Sequence, residues 1–350
     1  MAADRGVTMK IAVFGAGSIG VYIGASLYAA GADVVMIGRA RMHRQIASQG
    51  VLLTDLDGRR QQLEAHDFPY DENPSALAAA DLILVTVKSA DSAAAAVAIA
   101  QYAKPEALIV SLQNGVGNAN TLRGAMTGWQ VLAGMVPFNV VQMAGSRFHR
   151  GSGGELMIEA CARLEQWHAI FSEAGLPIQQ CHDFAAIQWG KLLLNLNNAV
   201  NALSDLPLKS ELSQRAYRRC LALLIEEALQ VLRAAGIRPA KIAKVAPQFL
   251  PMLLRLPDSL FKRIAAAMLK IDPEARSSMW EDLRAGRRTE VDYLNGAIVC
   301  LAQSLGKGAP ANRHIVALIH AAEGTGLQPL SGEALYLDLQ SRALQSDTEP

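Results

Sequence analysis

The sequence predicts an α/β protein: an N-terminal Rossmann-type domain built on a parallel sheet, followed by an all-helical C-terminal domain. Three observations lead there. Short β-branched runs alternate with alanine-rich helical stretches through the first half, a pattern that builds parallel sheets because each crossover helix covers a sheet face. A glycine-rich hexapeptide opens the first of those helices. Beyond about residue 185 the strand signals fade and helical periodicity takes over. A length of 350 residues leaves room for two domains at about 150 residues each. They are expected at 9–184 and 185–330, with a C-terminal tail at 331–350.

The strands are read at 11–14, 33–37, 82–87 and 107–112, and the first helix at 18–30. The alanine run at 92–100 fits a surface helix. In the second half, helical patterns cover 186–203, 213–235 closed by Gly236, 277–305 and 312–322. Prolines 247, 251 and 257 interrupt the stretch 239–273, whose sequence allows either a linker or several short helices. The first eight and last fifteen residues read as tails.

Composition narrows the function classes. With 33 basic and 32 acidic residues the net charge is +1, so the chain lacks the global basic excess by which nucleic-acid binders release counterions. Charges such as Asp81 and Lys88 break the apolar runs before they reach the roughly 18–20 residues that span a bilayer. No signal-peptide stretch precedes the glycines. Cys161, Cys181, Cys220 and Cys300 are far apart, with no CxxC pair and no histidine at zinc spacing. Neither a disulfide framework nor a metal is expected, and the implied compartment is the reducing cytoplasm.

The hexapeptide is Gly15-Ala16-Gly17-Ser18-Ile19-Gly20, with a strand before it and a helix after it. In that context Gly15 permits the tight turn, Gly17 lets the backbone approach a pyrophosphate, and Gly20 lets helix pack on sheet. The helix N-terminus offers unpaired N–H groups to the anion. The second strand ends Met36-Ile37-Gly38-Arg39, without the carboxylate that NAD-binding proteins place on the ribose hydroxyls. Arg39, with Arg41 and Arg44 behind it, suits a 2′-phosphate instead. NADPH is therefore the expected cofactor.

Ligands of open parallel sheets sit outside the carboxyl ends of the strands. Lys88 and Asn114 fall there, although spacing alone equally allows a snorkelling lysine and an ordinary turn. In the helical half, Lys191, Asn195 and Asn198 are spaced i, i+4, i+7 on one face of an apolar helix. A partly desolvated lysine there suits proton donation, while the spacing also fits a lysine that snorkels outward. The stretch Ser277 to Gly296 combines two serines, a basic run and carboxylates including Glu290, and in isolation reads as a solvated face.

Taken in order, these pieces resemble the ketopantoate reductase family. The resemblance runs from about Lys10 to Ala322 and rests on Gly15 to Gly20, Arg39, Val85-Thr86-Val87-Lys88, Gln113 to Gly117, the Lys191/Asn195 helix, and Ser278 followed by Thr289 to Gly296. It implies NADPH-dependent reduction of the C2 ketone of ketopantoate to D-pantoate, in pantothenate and coenzyme A biosynthesis, with substrate bound between two domains. By resemblance, Lys191 matches the lysine that donates a proton to the nascent alkoxide, and Glu290 the acid near the substrate oxygens. Asn114, Asn195 and Ser278 match groups that hold substrate, and Arg39 and Lys88 match cofactor contacts.

The chain departs from the family pattern in one region. The second asparagine expected four residues after Asn195 is replaced by Ala199, which leaves Asn198 and Asn201 as candidates. The stretch from Ser204 to Ser210 lacks the family's asparagine-glycine pair. Another 2-oxo acid or an imine therefore stays open as substrate, as does a non-catalytic NADPH-binding sensor on the same scaffold. A homodimer is the expected assembly.

Overall fold

The computed structural model describes residues 9–65, 68–241, 245–264 and 274–345. The chain divides into two compact units, Met1–Phe184 and Ala185–Pro350.

The first unit runs β1 (Lys10–Phe14), α1 (Ser18–Ala29), β2 (Asp33–Ile37), α2 (Ala40–Gln49), β3 (Val51–Asp55), β4 (Arg60–Leu63), β5 (Tyr70–Asp71), β6 (Leu82–Val85), α3 (Ser92–Tyr102), β7 (Leu108–Ser111) and α4 (Asn118–Ala125). It continues with β8 (Gln130–Met135), β9 (Val140–Met143), β10 (Arg147–Arg150), β11 (Leu156–Glu159), α5 (His168–Glu173) and β12 (Ile178–Cys181). Among the described residues, the main sheet has eight strands in the order β12-β11-β8-β7-β6-β1-β2-β5. The predicted α/β class is the one observed. The four predicted strands lie side by side and parallel at its centre, in register from Lys10 opposite Asp33 to Val85 opposite Ser111. They are buried on both faces, as continuous apolar strands under crossover helices must be.

Two features depart from the expected all-parallel sheet. Strand β11 returns antiparallel to β8. A separate four-stranded sheet, β4-β3-β10-β9, mixes one parallel pair with two antiparallel ones. Helix α1 touches β1 and β2 of the main sheet and also β3, β9 and β10 of the small one. This explains why residues 20–27 of α1 are all buried, and why the helix is apolar all round rather than along one stripe.

The second unit is helical: α6 (Phe184–Asn195), α7 (Asn197–Ser204), α8 (Leu208–Leu212), α9 (Arg215–Ala234), α10 (Leu250–Leu254), α11 (Asp258–Ile264), α12 (Ser278–Arg284), α13 (Asn295–Ser304), α14 (Pro310–Thr325) and α15 (Gly332–Gln345). Helix α9 is the hub, packed by α7, α8, α10, α13, α14 and α15. Arg218 on α9 is fully buried, yet its guanidinium donates to the carbonyls of Leu212, Leu254 and Leu256, pairs with Asp258 at 2.9 Å and lies over the Phe261 ring. A buried charge persists only when its donors are matched in this way.

Several predicted helices are corrected. The stretch 186–203 forms two helices that part at Leu196, where Asn197 and Asn201 are drawn into a buried polar network. The stretch 277–305 breaks into α12, a 3-10 turn at Val291–Tyr293 and α13. Gly286, at φ 62°, follows α12, and Leu294 is non-helical at φ −111°, ψ −89°. The tail at 331–350 is also corrected, because 332–345 form α15, whose Leu335 and Leu339 are fully buried and which packs on α9. Its i, i+4 leucines were the available signal. The proline-dotted stretch contains a 3-10 turn, α10 and α11, whereas 242–244 and 265–273, like the N-terminal residues 1–8, lie outside the described residues. No helix among the described residues is long and apolar enough to cross a membrane.

Candidate active site

In the first unit the candidate residues gather at the carboxyl ends of the adjacent strands β2, β1, β6 and β7. Gly15 has φ +120°, and a Cβ there would lie 2.5 Å from the Val87 backbone nitrogen. A side chain at Gly20 would collide with the Gly15 carbonyl oxygen. The turn is pinned by the Gly15 N–H donating to the Ile37 carbonyl at 2.9 Å and by the Thr86 hydroxyl donating to the Gly15 carbonyl at 2.6 Å. Gly17, the N-cap of α1, differs: a Cβ there meets nothing within 4 Å. Protein packing does not demand a glycine at that position, and the bare backbone there is open to the close approach of a pyrophosphate. The first turn of α1, which carries Ser18, Ile19 and Gly20, has no acidic residue, so the helix dipole faces an anion unopposed. These residues fit a dinucleotide.

Arg39 caps α2 with its side chain 87% exposed, and its guanidinium lies 3.0 Å from the Asp91 carboxylate. Asp91 has no counterpart among the sequence-predicted site residues, because it lies 52 residues along the chain. Tyr70, on the edge strand, donates to the Arg39 carbonyl at 3.1 Å and stacks on His43. Burial pushes the Tyr70 hydroxyl up to about 12, so it remains a donor at physiological pH.

Lys88 is exposed at the end of β6. The Asn114 carbonyl accepts from the Ser89 hydroxyl at 3.1 Å and the Asn118 amide at 2.6 Å. Beneath them lies a buried relay: Ser111 donates to Gln113, and Gln113 donates to Ser92 and to the Val87 carbonyl. Ser92 in turn donates to Asn118. Sequence reasoning singled out none of Ser92, Ser111 or Asn118, since a run of small polar residues signals only a turn.

In the second unit, Lys191 and Asn195 on α6 and Asn198 on α7 are each partly exposed, while Leu192, Leu193, Leu196 and Asn197 are buried. The i, i+4, i+7 face is thus open despite the break at Leu196. Burial pushes the Lys191 ammonium down to about 8, and the nearby Glu290 carboxylate opposes that shift. Asn201 is fully buried. Its amide donates to the Leu206 carbonyl at 2.9 Å and its carbonyl accepts the Ser277 N–H at 2.9 Å, so its polar atoms are engaged in structure and Asn198 is the accessible one.

Ser277, the N-cap of α12, accepts from the Trp280 N–H and donates to the Asn198 carbonyl at 3.1 Å. This fixes exposed Ser278 beside the Asn198 segment. Where the family pair is missing, Asp205 adopts φ 54° and its carboxylate receives the Trp280 indole at 2.6 Å and Arg284 at 2.5 Å.

Below this face Glu211 is fully buried, and burial pushes its carboxyl up to about 8 although the Asn197 and Asn201 amides and the Arg218 charge work the other way. Asn197 donates to its Oε2 at 3.0 Å. Its Oε1 and the Asn197 Oδ1 are buried without a hydrogen-bond partner among the described residues.

Comparison with known proteins places both units in one family. The family model described as ketopantoate reductase PanE/ApbA matches residues 11–163, and the model of its C-terminal part matches residues 183–323. A 2-dehydropantoate 2-reductase of Halobacterium salinarum is 27% identical over 325 residues, covering 91% of this chain and all of the relative. A crystal structure of a PanE/ApbA family ketopantoate reductase from Ralstonia eutropha JMP134 superposes with a TM-score of 0.76 at 33% identity, over 91% of this chain and 99% of that one. D-mandelate dehydrogenase, in a ternary structure with NADH and anilino(oxo)acetate, shares the fold at a TM-score of 0.76 and 20% identity, over 91% of this chain and 99% of that one. With both of its units matched by models of a single family, the chain belongs to the ketopantoate reductase family.

Proposed function

We propose that the protein reduces 2-dehydropantoate (ketopantoate) to D-pantoate with NADPH in the cytoplasm, and that Lys191 is the proton donor. The observation that carries the reading is Lys191 itself, a partly buried ammonium drawn down to about 8 beside Glu290 on the same open face as Asn195. When bound, the reduced nicotinamide supplies a hydride to the C2 carbon. The negative charge that develops on the carbonyl oxygen requires a nearby cation with a transferable proton, and an ammonium of near-neutral pKa supplies both. Glu290 keeps that ammonium charged against its own desolvation. Asn195, Asn198, Ser278 and Asn114 would hold the substrate's hydroxyl and carboxylate. Gly15, Ala16, Gly17, Ser18, Ile19 and Gly20 would hold the pyrophosphate, with Lys88 and Arg39 on the cofactor. The names of the relatives support the substrate assignment, and the absence of an acid at the end of β2 supports NADPH over NADH.

A second reading has one observation in its favour. Ala199 stands where the family pattern has asparagine, and Asp205 occupies the turn that follows, so the pocket end that would read pantoate's hydroxyl differs, and another 2-oxo acid is the alternative. The test is the loss of NADPH absorbance with ketopantoate, run beside NADH and a panel of 2-oxo acids and imines. Fast turnover of ketopantoate with NADPH is expected. Turnover of only a different acid would transfer the assignment to that acid, and cofactor binding without any turnover would favour a sensor.

A further inference from the structure

Glu290 sits at the start of the 3-10 turn Val291–Tyr293, between Thr289 and Asp292. Its own backbone carbonyl accepts the Tyr293 N–H at 3.0 Å. Two side chains of α14 grip this segment from both sides. Glu323 accepts the Thr289 N–H through Oε1 at 2.7 Å. Its Oε2 lies 3.1 Å from His320 Nδ1, and His320 Nε2 lies 2.9 Å from the Asp292 carboxylate. The path from Thr289 through Glu323 and His320 to Asp292 therefore closes around Glu290.

We propose that Glu323 and His320 are positioning residues for Glu290, and that by holding the segment 289–292 from α14 they fix where the Glu290 carboxylate stands relative to Lys191. The inference rests on the proton-donor reading of Lys191. It also follows from chemistry, because both imidazole nitrogens of His320 face carboxylates, and only the imidazolium can donate to both. Glu323 and Asp292 accordingly raise the His320 pKa, the Glu323 hydrogen bond most of all. Burial works against the Glu323 carboxylate, yet the Thr289 N–H and His320 hold it below the usual range. The ionisable groups of the clamp are His320 and Glu323 from α14 and Asp292 from the 3-10 turn, with Arg288 and Glu290 adjoining Thr289 in sequence and Lys191 of α6 within electrostatic reach of Glu290. The His320 side chain is 44% and Asp292 59% exposed, while Glu323 is 18% exposed, so removal of His320 is the change most compatible with a folded helix.

The experiment follows the pH titration of Lys191 by NMR in the full-length protein labelled with lysine bearing 13C at Cε, the resonance being assigned by its loss in Lys191→Arg. In Glu323→Ala and in His320→Gln the Lys191 midpoint is expected to fall by about half a unit to one unit, because a displaced Glu290 no longer opposes desolvation. Glu323→Gln keeps an acceptor for the Thr289 N–H and is expected to lie closer to wild type. Kinetically, the alkaline limb of ketopantoate reduction should move to lower pH and kcat at pH 8 should fall roughly two- to fivefold, the loss of protonated Lys191 at that pH, with the KM for NADPH unchanged. An unchanged Lys191 midpoint in the variants would overturn the proposal, and if Glu323→Ala does not fold, His320→Gln decides by the same criterion. The titration needs no substrate, so a protein inactive on ketopantoate still tests the clamp, while the wild-type assay separately tests the reductase reading.

Discussion

The Arg39 guanidinium and the Asp91 carboxylate meet at 3.0 Å although 52 residues separate them in sequence. One follows β2 and caps α2; the other caps α3 after β6. A carboxylate missing from the tip of β2 is thus present nearby, brought by the turn that follows β6 and paired with the very arginine expected to meet a 2′-phosphate.

This pairing sets the expected cofactor response. Arg39→Ala should raise the KM for NADPH by roughly ten- to a hundredfold, the scale of a lost charge-assisted hydrogen bond at an exposed site, and hardly affect NADH. Asp91→Asn should strengthen the preference for NADPH by removing a negative charge that competes with phosphate for Arg39. Steady-state kinetics with both cofactors checks each, and equal losses for the two cofactors in Arg39→Ala would refute the phosphate role.

Two glycines of one hexapeptide should respond oppositely to alanine. Gly20→Ala drives a methyl group into the Gly15 carbonyl, and should cost about 1–3 kcal/mol of stability, measurable by chemical denaturation. Gly17→Ala meets no protein atom within 4 Å, so Tm should remain near wild type while affinity for the dinucleotide falls. Comparable unfolding of both variants would show that Gly17 is held by packing.

The depressed Lys191 pKa gives a direction for the pH profile. The ammonium is the donor, so reduction should proceed below about pH 8 and decline as pH rises through that value. Removing the Glu290 charge leaves desolvation unopposed, so Glu290→Gln should move the decline to lower pH. Lys191→Ala should abolish turnover and leave cofactor binding intact. Fluorescence titration with NADPH separates the two effects.

Glu211 makes a different prediction, for stability. Its folded pKa, about 8, lies above the ordinary carboxyl value of 4.5, so the folded state binds the proton more tightly. Stability is therefore greatest below about pH 4.5 for this group and falls as pH rises toward 8. Glu211→Gln retains an acceptor for Asn197 and adds a donor for buried atoms that lack one, so it should flatten that slope and raise Tm most at alkaline pH. A steeper alkaline loss in the variant would show that the ionised carboxylate is the stable form.

The glycine-rich turn and the lysine face were legible because their signals are local. Strand, glycines and helix adjoin in sequence, and i, i+4, i+7 spacing reports a face without knowledge of its neighbour. The small sheet gave no such signal. Strand β4 is Arg-Gln-Gln-Leu, and β3 finds β10 across more than ninety residues. Asp91, Glu211, His320 and Glu323 escaped notice for the same reason. Each owes its importance to a partner distant in sequence, and on its own reads as one charge among many. The helix at 277–305 was over-extended because its apolar spacing continues through residues whose backbone turns aside, and the C-terminal helix was missed because a polar terminus resembles a tail until Leu335 and Leu339 are seen to face α9.

The small sheet also bears on how the chain is made. Helix α1 leaves the ribosome well before β9 and β10, at Val140–Met143 and Arg147–Arg150, which supply part of its cover. At roughly 5–20 residues per second, the nascent chain spends several seconds with one side of an apolar helix uncovered. That interval is when a chaperone would find it, and a ribosome stalled before residue 150 would display the glycine-rich turn on a helix that cannot yet be enclosed.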